Sequence, residues 1–467
     1  MQVLNTVISV LTTIATVFTA YQVVYLLIGV FSPKIKFAPA AKKHRYAVVV
    51  TARNEEKVIG KLIESIKNQT YPADKITVFV CADSCSDKTA QICRGMGCVV
   101  YERFNSDPNL ARKGYALKWL FEHIRVDYDI CSFEGFAFFG ADNVLAPDWF
   151  EKMNDAFDTD ADIVNTYRNT KNFDTNFISA AYGIHFYRST VSYHRPRQLM
   201  GLCTHIAGTG YCIKSPLLKD GWNFTELTED TELTQNIAAQ GRRIAFCEDA
   251  EFFDEQPTNF KVMFRQRLRW AKGRLFVFLK HGWMNLKGIF TRKKAAEAWT
   301  NYDMFWYMFP GGLYAAVLSI ISAVAGLVAG IIAGTAVNDA LSAVSGWDFY
   351  KQILIAAGLA YLGFTLQAAV VMIRERKHIH CSPAKKVLYV FTFFWFDLVN
   401  VPISLVSLFM RVRWKPIPHD KAFDYKQIVS KGGVTRSPTE PARRRAENVL
   451  ICLYAPAFAI MAEGGAA

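Results

Sequence analysis

The chain has 467 residues, of which 51% are hydrophobic and 14% aromatic, and it carries a formal net charge of +13. That much apolar surface excludes a chain disordered over most of its length, because burying it offsets the entropy of ordering the backbone. The positive charge does not imply a nucleic-acid partner: no nucleic-acid-binding motif accompanies it, and the basic residues gather beside apolar runs, at Lys34, Lys36, Lys42, Lys43 and Arg45, at Arg374, Arg376 and Lys377, and at Arg411, Arg413 and Lys415.

Residues 3–31 contain no charged side chain. In helical rise this run exceeds a bilayer core of about 30 Å. It lacks the basic start and small-residue cleavage site of a signal peptide, so residues 1–33 are expected to be a retained transmembrane anchor. The basic cluster at 34–45 then places the following domain on the cytoplasmic side of the membrane, among anionic lipids.

Residues 46–290 alternate between strand and helix patterns. Tyr46–Thr51 reads as a buried strand, 56–68 as a helix with Val58, Ile59, Leu62, Ile63 and Ile66 on one face, Ile76–Ala82 as a second strand and Ala137–Phe139 as a third. Each of these strands ends in polar residues. Strands separated by helices indicate a mostly parallel sheet, with ligands at the carboxyl ends of its strands.

A transmembrane region is expected over 303–412, with spans at 311–334 and 352–373 and a loop at 335–350 without Lys or Arg. A further run, 387–410, is interrupted by Asp397, Asn400 and Pro402. It fits a broken span, a re-entrant hairpin or an interfacial segment. Residues 413–467 form a basic, polar tail in which the apolar stretch 449–462 is short for a span. The ten cysteines show no paired C-x-x-C spacing, and Cys81, Cys85, Cys93 and Cys98 read as ordinary thiols. His378, His380 and Cys381 read as part of a basic membrane flank.

Six short segments carry chemistry. Ala52-Arg53-Asn54-Glu55-Glu56 closes the first strand, where a carboxylate and an amide can take the donors of a ribose and a base, or can open a helix. Asp83 closes the second strand as a hydrogen-bond acceptor or a turn residue. Lys113-Gly114-Tyr115-Ala116-Leu117 offers a point charge suited to phosphate beside a glycine that permits close backbone approach. Gly140-Ala141-Asp142-Asn143 closes the third strand. Gly208-Thr209-Gly210 precedes Thr228-Glu229-Asp230, whose acids also suit a helix N-terminus. Gln266-Arg267-Leu268-Arg269-Trp270 sets Gln266, Arg269 and Trp270 on one helical face.

In this order the segments resemble glycosyltransferase family 2, in its membrane-integrated form that includes the cellulose, hyaluronan and poly-N-acetylglucosamine synthases. The resemblance covers about 46–280. It implies a GT-A-like α/β fold with transmembrane helices at the N-terminus and in the C-terminal third. It further implies an inverting transfer from a UDP-sugar to a glycan or lipid acceptor. Arg53, Glu55, Asp83 and Lys113 would bind the nucleotide, Asp83 through the uracil imide. Asp142 would hold Mg²⁺ or Mn²⁺, and Gln266 and Arg269 would meet the diphosphate. Gly208, Thr209, Gly210 and Glu229 would line the acceptor side, with Trp270 stacking on a sugar ring. Asp230 would be the general base. The chain departs from the family at Gly140, which stands where the first Asp of Asp-x-Asp is expected. That change motivates an alternative reading as a catalytically weakened member that binds nucleotide sugar, or a partner, without turnover. The Gln-x-x-Arg-Trp pattern suits a processive polysaccharide synthase and a lipid glycosyltransferase equally.

Overall fold

A computed structural model describes residues 2–332, 347–412 and 415–430. The uncharged N-terminal run forms two helices, α1 (Gln2–Thr19) and α2 (Tyr21–Phe31). Among the described residues, three stretches are long and apolar enough to cross a membrane: Thr6–Phe31, Leu354–Arg374 and Pro383–Phe409. The expected span at 311–334 corresponds to a helix over Gly311–Ile332. Residues 333–334, most of the 335–350 loop, Arg413, Trp414 and the tail from 431 onward, including the 449–462 run, lie outside the described residues.

The globular part is built on one eight-stranded sheet. Its strands are β1 (Tyr46–Ala52), β2 (Ile76–Asp83), β3 (Val99–Arg103), β4 (Gly135–Gly140), β5 (Val144–Leu145), β6 (Ile163–Thr170), β7 (Tyr211–Lys214) and β8 (Ile244–Asp254). They lie in the order β3-β2-β1-β4-β7-β6-β8-β5. The first four run parallel, β7 is inserted antiparallel between β4 and β6, β8 is parallel to β6, and β5 closes the far edge antiparallel to β8. The sheet is thus a GT-A-like mixed one, and the sequence made visible three of the strands in its parallel half, β1, β2 and β4, but not β3.

Helices cover both faces. On one side Val48 and Val50 of β1 pack with Ile59, Leu62, Ile63 and Ile66 of α3 (Ile59–Lys67) and with Trp149 and Phe150 of a later helix. On the other, Ala47 and Val49 pack with Leu117, Leu120 and Phe121 and with Leu233 and Ile237. Alternate residues of one strand feed two cores, so β1 reads as a continuous apolar run. The helices involved, with the short α4 (Thr89–Gly95), are α5 (Lys113–Asp127), α6 (Trp149–Phe157) and, further along, α9 (Glu229–Ala239). Between β6 and β7 the chain makes α7 (Phe177–Ser189), one turn of π-helix over Thr190–His194, and α8 (Arg195–Leu199). After β8 come α10 (Phe260–Thr291) and α11 (Ala295–Met308).

The registers decide where the polar residues go. Thr51 of β1 lies opposite Cys81 of β2 and Gly140 of β4, so the three carboxyl ends align. Arg53, Asp83 and Asp142 therefore meet at one edge. The interrupted run at 387–410 resolves into two helices, Pro383–Leu398 and Asn400–Phe409. Asp397 at the break is buried and pairs with Arg188, and Arg267 lies 3.9 Å from it. Pro402 sits in the first turn of the second helix, where its missing N–H has no partner to lose.

Candidate active site

At the β1 and β2 ends, both oxygens of Asp83 are taken by guanidinium groups: Arg103 Nη1 donates to Oδ1 at 2.9 Å, and Arg53 Nη2 donates to Oδ2. Arg53 Nε also donates to the Asp83 carbonyl at 2.9 Å. Asn54 and Ser84, directly after these ends, have φ of 57° and 53°. Two non-glycine residues in the left-handed region on adjacent loops are the kind of backbone strain that gathers at binding sites.

Asp142 follows β4. Its Oδ2 accepts the Glu255 N–H at 2.8 Å, its carbonyl accepts from Lys171 Nζ at 2.6 Å, and Asn143 Nδ2 reaches its Oδ1 at 3.3 Å. Burial alone would raise the Asp142 carboxyl, but the His419 and Lys171 cations and the Glu255 N–H outweigh it and hold it below the usual carboxylate range. Gly140 has a local reason to lack a side chain: a Cβ there would lie 2.7 Å from Asp142 Oδ1.

The GTG turn sits beside this group. Thr209 Oγ1 donates to Asn143 Oδ1 at 2.5 Å and accepts the Gly140 N–H at 2.9 Å. Gly208 and Gly210 have φ of +84° and +71°, and a Cβ on Gly210 would strike the Phe252 ring at 1.9 Å. Asp230, in the first turn of α9, is half-buried, with Oδ2 3.7 Å from where a Gly208 Cβ would stand. Lys113 Nζ joins the two sides, donating to the Gly208 carbonyl at 2.6 Å and lying 3.3 Å from Glu229 Oε1. Contacts thus run from Asp142 through Asn143, Thr209 and Gly208 to Asp230. Packing and the neighbouring Glu229 push the Asp230 carboxyl up to about 6, with Lys113 and Arg269 opposing.

Along α10, Arg269 Nη1 donates to the Leu227 carbonyl at 2.8 Å, just before the Thr-Glu-Asp turn. Gln266 Oε1 accepts from the Tyr182 hydroxyl at 2.6 Å. Trp270 is half-buried, with Tyr182 and Phe186 edge-on at 5.9 and 6.4 Å. Gly273 lets α10 lie directly on Thr228. Lys113, Gln266 and Arg269 are thus all held by protein groups, Lys113 and Arg269 beside the Gly208 and Thr-Glu-Asp turns and Gln266 on Tyr182.

Residues 44–273 match the model of the glycosyltransferase like family 2. Over these residues the chain is similar to a family 2 glycosyltransferase domain. YdaM of Bacillus subtilis, described as a probable glycosyltransferase, is 27% identical over 288 residues, 57% of this chain and 62% of that protein. A beta-monoglucosyldiacylglycerol synthase of Trichormus variabilis is 24% identical over 269 residues, 56% of this chain and 54% of that one. The chain therefore spans between half and two thirds of the length of these relatives. In fold, the transferase domain and its flanking helices are similar to a mannosyltransferase from Pyrobaculum calidifontis solved with GDP-Man and Mn²⁺, at 18% identity and a TM-score of 0.51, covering 80% of this chain and 98% of that structure.

Sequence reasoning noted the stretch that ends at His419 as similar to one the family carries after its last spans but gave it no role; it belongs to a segment that folds back over the sheet domain. His419 Nδ1 lies 3.0 Å from Glu55 Oε1, and the Asp420 and Lys421 N–H groups donate to the Glu255 carboxylate at 3.1 and 2.8 Å. Val144, Phe253 and Ile428 anchor this segment, with Phe423 and Tyr425 packed against them. Asp142 and Glu55 push the His419 imidazole up to about 9, against the pull of burial. Lys171, Asp254 and Glu255 complete the group; a Pro-flanked histidine after the last span was the only signal for it.

Proposed function

We propose that the chain is a membrane-bound, inverting glycosyltransferase that moves a sugar from a nucleoside diphosphate donor to an acceptor hydroxyl at the cytoplasmic membrane face. The observation that carries the reading is Asp230: a half-buried carboxylate of raised pKa at the GTG turn, connected to Asp142 through Thr209 and Asn143. Asp230 takes the proton of the acceptor hydroxyl while its oxygen attacks the anomeric carbon. The bond from that carbon to the diphosphate breaks, and the nucleoside diphosphate leaves with the electron pair. Attack from the face opposite the leaving group inverts the anomeric configuration. Most of the acceleration then comes from orientation and from stabilising the charge that develops on the diphosphate.

A divalent cation fits this site. Asp142 is kept ionised in a buried acidic group with Glu55, Asp254 and Glu255, whose counter-charge is supplied here by the protonated His419 and by Lys171. Among the described residues no three His, Cys, Asp or Glu side chains converge in ligand geometry. Mg²⁺ and Mn²⁺ commonly complete their shells with substrate phosphate and water, so one carboxylate suffices as the protein anchor. Asp142 would hold the ion, and the ion would neutralise charge on the departing diphosphate. Arg53, Asp83 and Glu55 line the nucleoside side, with UDP as the donor nucleotide assigned to them.

Of the two acceptor classes, a lipid-borne hydroxyl is favoured by the glucosyldiacylglycerol synthase relative and by the apolar helices beside the cleft. The deciding experiment is purification in detergent, then release of nucleoside diphosphate from a panel of sugar donors with and without divalent metal, with product analysis. Failure to cleave any donor overturns the reading.

Two variants sharpen it. Trp270→Ala should raise the acceptor KM about tenfold while donor hydrolysis by water changes less than about threefold, since base or sugar stacking on an indole contributes on the order of 1–3 kcal/mol. Equal effects on both would remove Trp270 as an acceptor platform. Gly140→Asp should lower kcat, because the new Cβ pushes Asp142 Oδ1 aside. A gain in turnover would favour the weakened-member reading instead.

A further inference from the structure

Tyr211 follows the GTG turn directly and opens β7. Its side chain is wholly buried, with the ring stacked on Phe138 of β4 at 4.8 Å and 9°. It shares a core with Leu117 of α5 and with Leu233 and Ile237 of α9. The ring therefore stands between the sheet and the two helices whose first turns carry Lys113 and the Glu229–Asp230 pair. That arrangement is fixed from the backbone: Thr234 Oγ1 accepts the Ile206 N–H at 3.1 Å and donates to the Asp230 carbonyl at 2.8 Å. The first turn of α9 is thus tied to the chain just ahead of the GTG turn.

The packing accounts for the ring but not for the hydroxyl. It is buried and makes no hydrogen bond among the described residues. A phenylalanine would fill the same space without leaving a polar atom unpaired, so the hydroxyl costs stability where it stands. Burial, and then the charges of Glu229 and Asp230, hold the phenol well above its ordinary range, so it keeps its proton and can donate. The cations that face the acid pair are Lys113 and Arg269. Lys113 Nζ lies 3.3 Å from Glu229 Oε1, whereas Arg269 is bound to the Leu227 carbonyl. Lysine is a mobile point charge, and a bound diphosphate competes with Glu229 for it. The pair then loses a counter-charge, and two neighbouring acids without one take up a proton more readily.

We propose that Tyr211 is a positioning residue for the base: in the donor-bound protein its hydroxyl donates to the Glu229–Asp230 pair and keeps Asp230 ionised while Lys113 serves the diphosphate. The assignment rests on the transferase reading above. No proton leaves Tyr211. The phenol gives the pair a hydrogen bond, and the proton of the acceptor hydroxyl goes to Asp230. A donor placed beside an ionised carboxylate lowers its proton affinity, so the base stays available at a lower pH than it otherwise would.

The test is Tyr211→Phe in the full chain, purified in detergent and supplied with a sugar donor that the unmodified chain cleaves. The first readout is the pH profile of kcat, which reports ionisations in the substrate-bound protein. Its acid limb should move up by about one pH unit, a loss of about tenfold well below the limb that shrinks as the pH rises. The second readout is thermal unfolding without donor. Because an unpaired buried hydroxyl is removed, the variant should melt at or above the temperature of the unmodified chain. A merely structural tyrosine would move neither in this way. A kcat limb that stays in place overturns the proposal. So does a clear fall in melting temperature, which would mean that the hydroxyl already has a partner in the donor-free protein. Absence of donor cleavage by the unmodified chain, or near-normal turnover in Asp230→Asn, overturns the transferase reading or its base, a separate and earlier failure.

Discussion

Asp230→Asn is expected to reduce sugar transfer by about 10²–10⁴-fold in kcat, the range of a positioned general base, while the donor Kd stays within about threefold. The amide preserves the shape and the packing beside Gly208 but cannot take a proton from the incoming hydroxyl. Near-normal turnover in this variant would remove Asp230 as the base. The acid limb of the pH profile gives a second, independent readout. Asp230 is pushed up to about 6 by packing and by the Glu229 charge, with Lys113 and Arg269 opposing. The base must be ionised to act, so kcat/KM rises with pH through the region of 6 and then levels off. Two acids this close titrate as a pair, and the midpoint is a property of Glu229 and Asp230 together. Lys113 stabilises the ionised form, so Lys113→Met should move the limb to higher pH. An unmoved limb would mean that the titrating group lies elsewhere.

Three of the four strands of the parallel half, β1, β2 and β4, were legible as buried apolar runs, whereas the partly exposed β3 was not. Tyr46–Thr51 and Ile76–Ala82 each fall one residue short of the observed β1 and β2, and the run at 137–139 is the middle of β4. The helix expected at 56–68 is seen at 59–67, where the periodic residues Ile59, Leu62, Ile63 and Ile66 are all buried. The antiparallel insertion was not legible: β7 is four residues long, and β6 carries Asn165, Asn169 and Arg168 to serve the site, which breaks any apolar rhythm. The cleft itself could be anticipated as an ordered series of strand-end acids. His419 could not, because its place beside Glu55 depends on a segment that returns across 364 residues of chain. No local pattern encodes such a return; it is fixed by the small apolar anchor of Ile428, Phe423 and Tyr425 on β5 and β8 together with the bonds of His419, Asp420 and Lys421 to Glu55 and Glu255.

Disrupting the Arg197–Asp303 pair is expected to have the largest effect on stability. Arg197 Nε and Nη2 donate to the two oxygens of Asp303 at 2.6 and 2.8 Å, and neither side chain is exposed at all. The Tyr21 hydroxyl donates to Asp303 Oδ1 at 2.8 Å, and Tyr25 reaches Oδ2 at 3.4 Å. The rings of Tyr25 and Tyr193 each lie 5.0 Å from the guanidinium, which accounts for a buried Nη1 without a hydrogen-bond partner. This one cluster joins the N-terminal span, α8 and α11. Removing one member of a fully buried pair strands the other charge, so Asp303→Asn should destabilise the protein by about 3–5 kcal/mol. Replacing both by apolar residues of similar size, Arg197→Met with Asp303→Leu, removes the stranded charge and should recover much of that loss, and the recovery distinguishes an ion pair from general packing. Thermal unfolding in detergent reads both, and a single variant that melts with the unmodified chain would show that the pair contributes nothing.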